Sequence, residues 1–295
     1  MSPPHHPTPS RGRRASRPPA PARPGGAAVP WPAGHPQTDP EPRPSSPALL
    51  VVAHGSRDPR HAATVHALVT RVRALRPRLT VRTAFLDFDP PSVPGALEGL
   101  AADGAGAVVV QPLLLNRAFH AKVDLPAVLR RAPARLTVRQ AEVLGPAPLL
   151  TAALERRLAE AGLAPGDRAS TGVVLAAAGS TDPEAVAVTT DLARQWQRTG
   201  WRAVLPAFAS AAAPRTTVSG TAEAVRQLRA EGVRRVAVAR YVLAPGLLPD
   251  RIARGAAEAG ADVLADVLGP APEVARLVLH RYDTACAPAP VDLSA

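Results

Sequence analysis

Two histidines stand where apolar segments of the chain end. His54 directly follows the run Ala48–Ala53, and His120 lies five residues beyond the apolar segment Ala107–Leu115. If both segments are parallel strands, their carboxyl ends meet at one sheet edge, where open α/β proteins bind ligands. Neutral imidazoles with a carboxylate nearby suit a first-row divalent metal such as iron or cobalt. The pattern predicts a metal site; the alternative is that each imidazole only hydrogen-bonds its own loop.

Two carboxylates accompany these histidines. Asp87 follows the predicted second strand, Val81–Leu86, and Asp124 lies four residues after His120. A carboxylate beside a metal-binding imidazole lowers the charge of the loaded site and can relay protons outward. The other histidines are not expected to bind metal, since two belong to the surface of the first helix, one to the last helix and three to the N-terminal segment (His61, His66, His280, His5, His6 and His35).

Repetition within the chain assigns this chemistry to one half. The segment VVAHGSRDP, which starts at residue 51, reappears at residue 175 as LAAAGSTDP, and VLGPAP starts at both residue 143 and residue 267. A constant offset over such a distance indicates a duplicated domain. Alignment of the two copies places Ala178 opposite His54 and Leu248 opposite His120. A site of this kind can therefore be built in the first half only.

Short apolar runs alternate with helical patterns from Ala48 onward. This alternation predicts an α/β fold with a doubly wound parallel sheet in each half. The helix from Pro148 to Ala161 is expected to close the first half. The chain is therefore divided into four segments. Residues 1–47 are a disordered Pro/Arg-rich tail, and residues 48–163 are the half that carries the metal-site histidines. Residues 172–284 are the repeat half with a degenerate site, and residues 285–295 are a C-terminal tail.

Composition excludes several classes of protein. The net charge is +11 at pH 7, but Lys122 is the only lysine, and the arginines form no stripe with interleaved aromatic residues. A nucleic-acid partner is therefore not expected. No apolar run approaches the roughly 20 residues that span a bilayer, no secretory signal is recognisable, and the single cysteine, Cys286, excludes an internal disulfide. We expect a cytoplasmic protein without a membrane partner, whose basic surface favours an acidic substrate.

Three motifs carry a family resemblance. In order, VAHGSRDP, AFLDFDPPSVPGAL and VVVQPLLLNRAFHAKVDLP resemble the motifs of the sirohydrochlorin chelatases, which belong to the two-domain type II tetrapyrrole chelatases. The resemblance covers residues 48 to about 282. It implies two flavodoxin-like halves that face each other across a central cleft, with the macrocycle between them. The chain would then be a monomer with pseudo-dimeric internal symmetry.

The resemblance also implies an activity. Such an enzyme inserts Co²⁺ or Fe²⁺ into sirohydrochlorin, with proton release, in cobalamin or sirohaem biosynthesis. The histidines that match His54 and His120 hold the metal and take part in its insertion. Asp87 occupies the family's acidic position, which is often glutamate, as a shorter carboxylate. Sirohydrochlorin and the divalent metal are the substrates, and no further cofactor is implied.

Polar residues beside the motif histidines suit a polycarboxylate substrate. Arg57, Arg117 and Lys122 can clamp carboxylates, although ordinary solvated charge is an equal alternative. The Ser56 hydroxyl either binds a substrate carboxylate or caps the helix that follows, as Ser180 could in the repeat.

Two questions stay open at this level. A non-catalytic protein that delivers metal or tetrapyrrole could have the same fold and the same histidines. Iron and cobalt are equally compatible with imidazole and carboxylate ligands. A P-loop or dinucleotide enzyme is excluded, because neither GxxxxGK[ST] nor a GxGxxG after a strand is present.

Overall fold

Two α/β halves built on the same plan make up the part of the chain that the computed structural model describes, residues 46–116, 124–210 and 220–287. The first half contains, in chain order, β1 (Ala48–Ala53), α1 (Pro59–Leu75), β2 (Val81–Phe85), α2 (Val93–Ala102), β3 (Ala107–Pro112), α3 (Leu125–Leu129), β4 (Thr137–Gln140) and α4 (Pro148–Glu160). The second half contains β5 (Thr171–Ala177), α5 (Pro183–Gln197), β6 (Ala203–Phe208), α6 (Thr221–Ala230), β7 (Arg235–Tyr241), α7 (Leu247–Glu258), β8 (Val263–Leu264) and α8 (Pro272–Cys286).

Each half has a four-stranded sheet in which all neighbouring strands are parallel. The strand orders are β2-β1-β3-β4 and β6-β5-β7-β8, so the two sheets share one topology. The central strands β1 and β5 are buried along their whole length, as expected when helices cover both faces of a parallel sheet. The predicted pair of duplicated, doubly wound halves is confirmed.

Some predicted elements are longer than the observed ones. The third strand ends at Pro112 instead of Leu115, although the Leu113 N–H still donates to the Val52 carbonyl at 2.7 Å. A fourth strand, predicted by the sequence pattern from Leu136 to Val143, covers Thr137–Gln140 only. The strands predicted at Ala48–Ala53, Val81–Leu86 and Ala107–Leu115 and the helix predicted at Pro148–Ala161 are confirmed in existence and type.

The last helix of each half packs on the sheet of the other half. Helix α4 contacts β7, whereas α8 contacts β3 and α1. Across the α4–α5 boundary, Trp196 Nε1 donates a hydrogen bond of 3.1 Å to Glu155 Oε1. The helix predicted from Pro148 to Ala161 is thus observed as α4, the last helix of the first half in chain order, and it packs on the sheet of the second half. Apolar spacing shows which face of a helix is buried, but it does not show which of two similar sheets that face will cover.

Two ion pairs join α8 to its neighbours. Arg156 on α4 binds the carboxylate of Glu273 at 2.6 Å, and this hydrogen-bonded pairing lowers the pKa of the glutamate. Arg76, which ends α1, binds Asp283 at 2.5 and 2.9 Å and lowers the pKa of that carboxyl in the same way. Both contacts attach the end of the chain to elements of the first half. None of the described helices is long and apolar enough to cross a bilayer.

Candidate functional site

A cleft of about 780 Å³ lies between the two halves. Its first-half wall is formed by the segments that follow β1 and β3, together with the first turn of α1. The opposite wall is formed by the segments that follow β5, β6 and β7. These are carboxyl ends of parallel strands, the edge at which α/β sheets bind ligands. The duplication thus brings two ligand-binding edges to one cavity.

His54 lines this cleft at the end of β1. Gly55, the next residue, has a φ of 94°, which a side chain would disfavour. A Cβ atom at Gly55 would lie only 1.8 Å from the carbonyl oxygen of Asp87. The N–H of Asp87 in turn donates to the His54 carbonyl at 2.9 Å. Close approach of the two strand ends therefore fixes the backbone that presents the imidazole.

The Asp87 carboxylate is exposed and does not belong to the described lining of the cleft. Its Oδ1 accepts the N–H of Phe88 at 2.8 Å. Asp124 stands at the start of α3 and is likewise outside that lining. The structure thus brings the backbone of Asp87 next to that of His54. A role for the Asp87 carboxylate in the chemistry stays a prediction.

Ser56 lines the cleft, and its hydroxyl has a structural contact. The Oγ atom accepts the N–H of Asp58 at 3.1 Å. Asp58 itself is the residue that caps α1, because its carboxylate accepts the N–H of Arg60 at 2.9 Å. Ser56 thus stabilises the turn that precedes α1, and the capping role that was considered for Ser56 belongs to Asp58.

The predicted basic clamps are only partly described. His120, Arg117 and Lys122 fall within residues 117–123, outside the described residues. Arg57 is exposed, and its guanidinium carbon lies 5.2 Å from the centre of the Phe88 ring. Among the lining residues that are described, the cleft has no arginine or lysine.

Phe88 was not singled out by its sequence position. Its φ is 65°, a left-handed conformation that is rare and strained for a bulky residue. The side chain is 50% exposed, and its ring meets the His54 ring edge-on, with 6.2 Å between the centres. An aromatic ring held at the surface beside a site histidine can contact a flat ligand. Aromatic residues are rare in this chain, so a phenylalanine directly after Asp87 was the sequence signal that could have indicated a role in the site.

His61 was predicted to lie on the surface, and this is wrong. It lines the cleft from the first turn of α1 and is half-buried. The pKa of His61 lies below its ordinary value. Burial is the main cause and the charge of His54 adds to it, while the Asp89 carboxylate acts in the opposite direction. The ring nitrogen Nδ1 is buried and has no hydrogen-bond partner among the described residues. The helix starts at Pro59, so its first turn stays next to the His54 loop.

The remaining described histidines behave as expected. His66 is exposed on α1, with its ring 5.8 Å from the ring of Phe85, and His280 is exposed on α8. Neither belongs to the cleft lining.

Asp89 is a second residue that the motif analysis missed. Its Oδ2 accepts the N–H of Ser56 at 3.0 Å, which ties the loop after β2 to the loop after β1. The same carboxylate acts electrostatically on His61. Its position two residues beyond Asp87 places a second negative charge near the two cleft imidazoles.

The second-half wall has small and neutral side chains at the matching positions. Ser210 N–H donates to the Ala178 carbonyl at 2.8 Å, the contact that Asp87 and His54 make in the first half. Ser210 therefore replaces Asp87 as Ala178 replaces His54. Tyr241 also lines this wall; its hydroxyl reaches the Leu115 carbonyl at 3.5 Å, and burial raises its pKa.

Within residues 46–116, 124–210 and 220–287, no three His, Cys, Asp or Glu side chains are grouped as ligands for a metal ion. His54 and His61 are the imidazoles that the described part of the chain supplies to the cleft. His120 lies outside these ranges, so the pairing of His54 with His120 as metal ligands stays a prediction.

A family model settles the relationship suggested by the motifs. The CbiX model matches residues 48–161 and again residues 172–285, one match for each half. The chain belongs to the CbiX family. Both the predicted family and the internal duplication are thereby confirmed.

Characterised relatives of this CbiX-family chain handle two metals. It is 28% identical over 212 residues to the sirohydrochlorin cobaltochelatase of Priestia megaterium, a match covering 70% of this chain and 67% of that protein. It is 27% identical over 211 residues to the sirohydrochlorin ferrochelatase of Bacillus subtilis, covering 70% and 78%. These relatives confirm the prediction of an enzyme of the metal-chelatase class.

Solved structures agree with that relationship. SirB from Bacillus subtilis with Fe³⁺ superposes with a TM-score of 0.70 at 25% identity, covering 82% of this chain and 96% of SirB. The sirohydrochlorin chelatase SirB from Bacillus subtilis subspecies spizizenii in complex with cobalt gives a TM-score of 0.66 at 26% identity, covering 82% and 95%. Both halves of the chain therefore have the chelatase fold.

Proposed function

We propose that this CbiX-family protein inserts Co²⁺ or Fe²⁺ into sirohydrochlorin and releases two protons, in cobalamin or sirohaem biosynthesis. The observation that carries the proposal is the placement of His54 in a cleft between two chelatase-like halves. The opposite wall has Ala178 at the matching position, so imidazole chemistry acts from one side. The names of the relatives include both metals.

The reaction balances as a ligand exchange with proton loss. The metal loses its bound water, two pyrrole N–H groups lose their protons, and four ring nitrogens bind the metal. A neutral imidazole can hold a divalent metal and can also accept a proton near its ordinary pKa of about 6.5. His54 and His120 are proposed to hold the metal and, once it has passed to the ring nitrogens and their lone pairs are free, to receive these protons, and Asp87 to pass them to solvent.

Substrate binding is proposed to use basic residues of the first half and hydroxyl groups of the second. Sirohydrochlorin carries many carboxylates, and Arg57, Arg117 and Lys122 are proposed to bind some of them. Arg57 is exposed beside Phe88, where its charge is accessible. The hydroxyls of Ser180 and Ser210 are polar groups on the second-half wall. Because the second-half lining also includes Asp182 and no described basic residue, the positive charge for the macrocycle's carboxylates is proposed to come from the first half.

Replacement of the predicted ligands tests this proposal. His54→Ala and His120→Ala should each lower the rate of metal insertion at least about 100-fold, because each removes a ligand and a proton acceptor. The rate is followed by the absorbance change of sirohydrochlorin on addition of Co²⁺ or Fe²⁺. His280→Ala is the control, since this histidine is exposed outside the cleft. A doubly substituted protein that turns over at the wild-type rate would refute the assignment.

The same assay separates an enzyme from a delivery protein. With sirohydrochlorin and metal in large excess over protein, an enzyme converts many equivalents. Conversion that stops at one equivalent would indicate a binding protein of the same fold. Parallel series with Co²⁺, with Fe²⁺ and with both together measure the preference of the site for either metal.

Acid should inhibit insertion. Metal binding requires neutral imidazole, so protons compete with the metal below the ordinary histidine pKa. The rate at subsaturating metal should therefore fall as the pH is lowered through roughly 6.5. A rate that is constant between about pH 5 and 8 would contradict a role for histidine as ligand and proton acceptor.

A further inference from the structure

His61 is the cleft residue that the family resemblance does not explain. It projects from the first turn of α1, is half-buried and lines the same cavity as His54. Its Nδ1 atom is buried without a hydrogen-bond partner in the described ranges. A buried polar atom of this kind is costly and calls for a functional or structural reason. Because His61 lines the cavity, a ligand bound there can supply that reason.

We propose that His61 is an additional metal ligand that binds the incoming divalent ion in the cleft together with His54. This inference rests on the proposed function and adds a residue to its site. The step is a ligand exchange, in which an imidazole nitrogen replaces a water molecule on the metal. No redox change or group transfer is involved.

The surroundings of His61 favour this role. His61 and His54 line the same cavity, so both imidazoles border one space. The carboxylate of Asp89 acts on His61 and supplies negative charge that attracts a cation. Asp89 is also bonded to the Ser56 N–H at 3.0 Å, so its position is defined relative to the His54 loop.

Comparison of the halves gives an independent reason. The alignment that places Ala178 opposite His54 places Ala185 opposite His61, and both alanines line the cleft. Imidazole is therefore present at both positions in one half and at neither in the other. His61 thus follows the distribution of the predicted metal site, whereas a residue needed for packing of the duplicated fold would have a counterpart of similar size.

The test uses the full chain and Co²⁺ alone. His61→Ala should weaken Co²⁺ binding at least tenfold in isothermal titration calorimetry, and it should raise the KM for metal more than it lowers kcat. His66→Ala is the matched control, because it removes an exposed imidazole from the same helix. Its Co²⁺ affinity should equal that of the wild type.

A spectroscopic measurement distinguishes a ligand from a structural residue. In the proton NMR spectrum of the Co²⁺-loaded protein, imidazole N–H signals shifted by the metal count the bound histidines. The wild type should show one more such signal than His61→Ala. His61→Gln, closer in size, replaces the alanine variant if that protein does not fold. Wild-type affinity and an unchanged signal count in either folded variant would overturn the proposal.

The outcome is separable from that of the proposed function. If His61→Ala binds Co²⁺ normally while His54→Ala abolishes insertion, the function stands and the role of His61 is wrong. If Co²⁺ binding depends on His61 but the wild type never metallates sirohydrochlorin, the metal site stands and the chelatase activity is wrong.

Discussion

The loop after β1 and the loop after β5 share a backbone and differ in chemistry. Gly55 and Gly179 have φ values of 94° and 91°. Ser56 and Ser180 each accept the N–H two residues ahead, at 3.1 and 3.0 Å. Each loop also accepts a backbone hydrogen bond from the end of the neighbouring strand's loop. This conformation is therefore a property of the duplicated fold.

Three matched side chains near this shared backbone differ in chemical type. The imidazoles of His54 and His61 correspond to the methyl groups of Ala178 and Ala185. The carboxylate of Asp87 corresponds to the hydroxymethyl group of Ser210. The glycine-serine turn is thus common to both halves, and the metal chemistry proposed for the first half depends on residues that the second half lacks. Three experiments sharpen this contrast.

The largest effect is expected from separating the halves. A fragment of residues 48–168 keeps α1 and β3 but loses α8, which covers them, and its α4 loses the contact with β7. We expect no folded monomer. Two copies can instead exchange α4 and form a symmetric dimer, with histidines on both walls of the cleft.

Light scattering of the purified fragment measures its mass, and the sirohydrochlorin assay measures its turnover. A dimer that regains some insertion activity, or an aggregate, agrees with the exchange of helices. A stable monomer with full activity would show that the second half contributes nothing to the site.

Substituting the paired glycines should give unequal losses of stability. Both positions have a positive φ, and forcing alanine into it costs roughly 1–3 kcal/mol. At Gly55 the new Cβ would also lie 1.8 Å from a carbonyl oxygen, whereas at Gly179 its nearest contact is a Cβ atom at 3.1 Å. Gly55→Ala should therefore lower the free energy of unfolding by roughly 1–3 kcal/mol more than Gly179→Ala.

Urea denaturation of the two variants measures this difference. Equal losses of unfolding free energy would mean that the ends of β1 and β2 move apart at little cost. The two loops would then tolerate a side chain at the glycine position equally well.

The smallest effect concerns the attachment of α8. Pairing with Arg156 lowers the pKa of Glu273 in the folded protein. A lowered carboxyl pKa contributes stability above the ordinary value of the group, and this contribution is lost as the pH falls through the folded value. Glu273→Gln should lower the thermal midpoint by about 2 °C at pH 7, with a smaller difference near pH 3.

Differential scanning calorimetry at both pH values checks this prediction. Glu98→Gln removes an exposed carboxylate from α2 and serves as the control. A loss of stability that is the same at pH 3 and pH 7 would show that the charge of Glu273 is unimportant.

Much of this molecule follows from periodicity and strand-end position. The placement of His54 at a ligand-binding edge needed only the apolar run before it and the rule for parallel sheets. The inward position of His61 was missed, because a polar residue in the first turn of an amphipathic helix looks solvent-exposed until a second domain faces it. The exchange of α4 and α8 depends on long-range packing between two nearly equivalent sheets, which local patterns do not encode.

The position of α8 also has a consequence during synthesis. The helix that covers the first sheet is encoded about 200 residues after α1, and translation proceeds at about 5–20 residues per second. The nascent first half therefore spends roughly 10–40 seconds with an apolar face uncovered. During that interval α4 is the only terminal helix made, and it is available to cover the sheet of its own half before β7 emerges. A premature stop that removes α8 would therefore leave the sheet of the first half, which carries His54, without its covering helix.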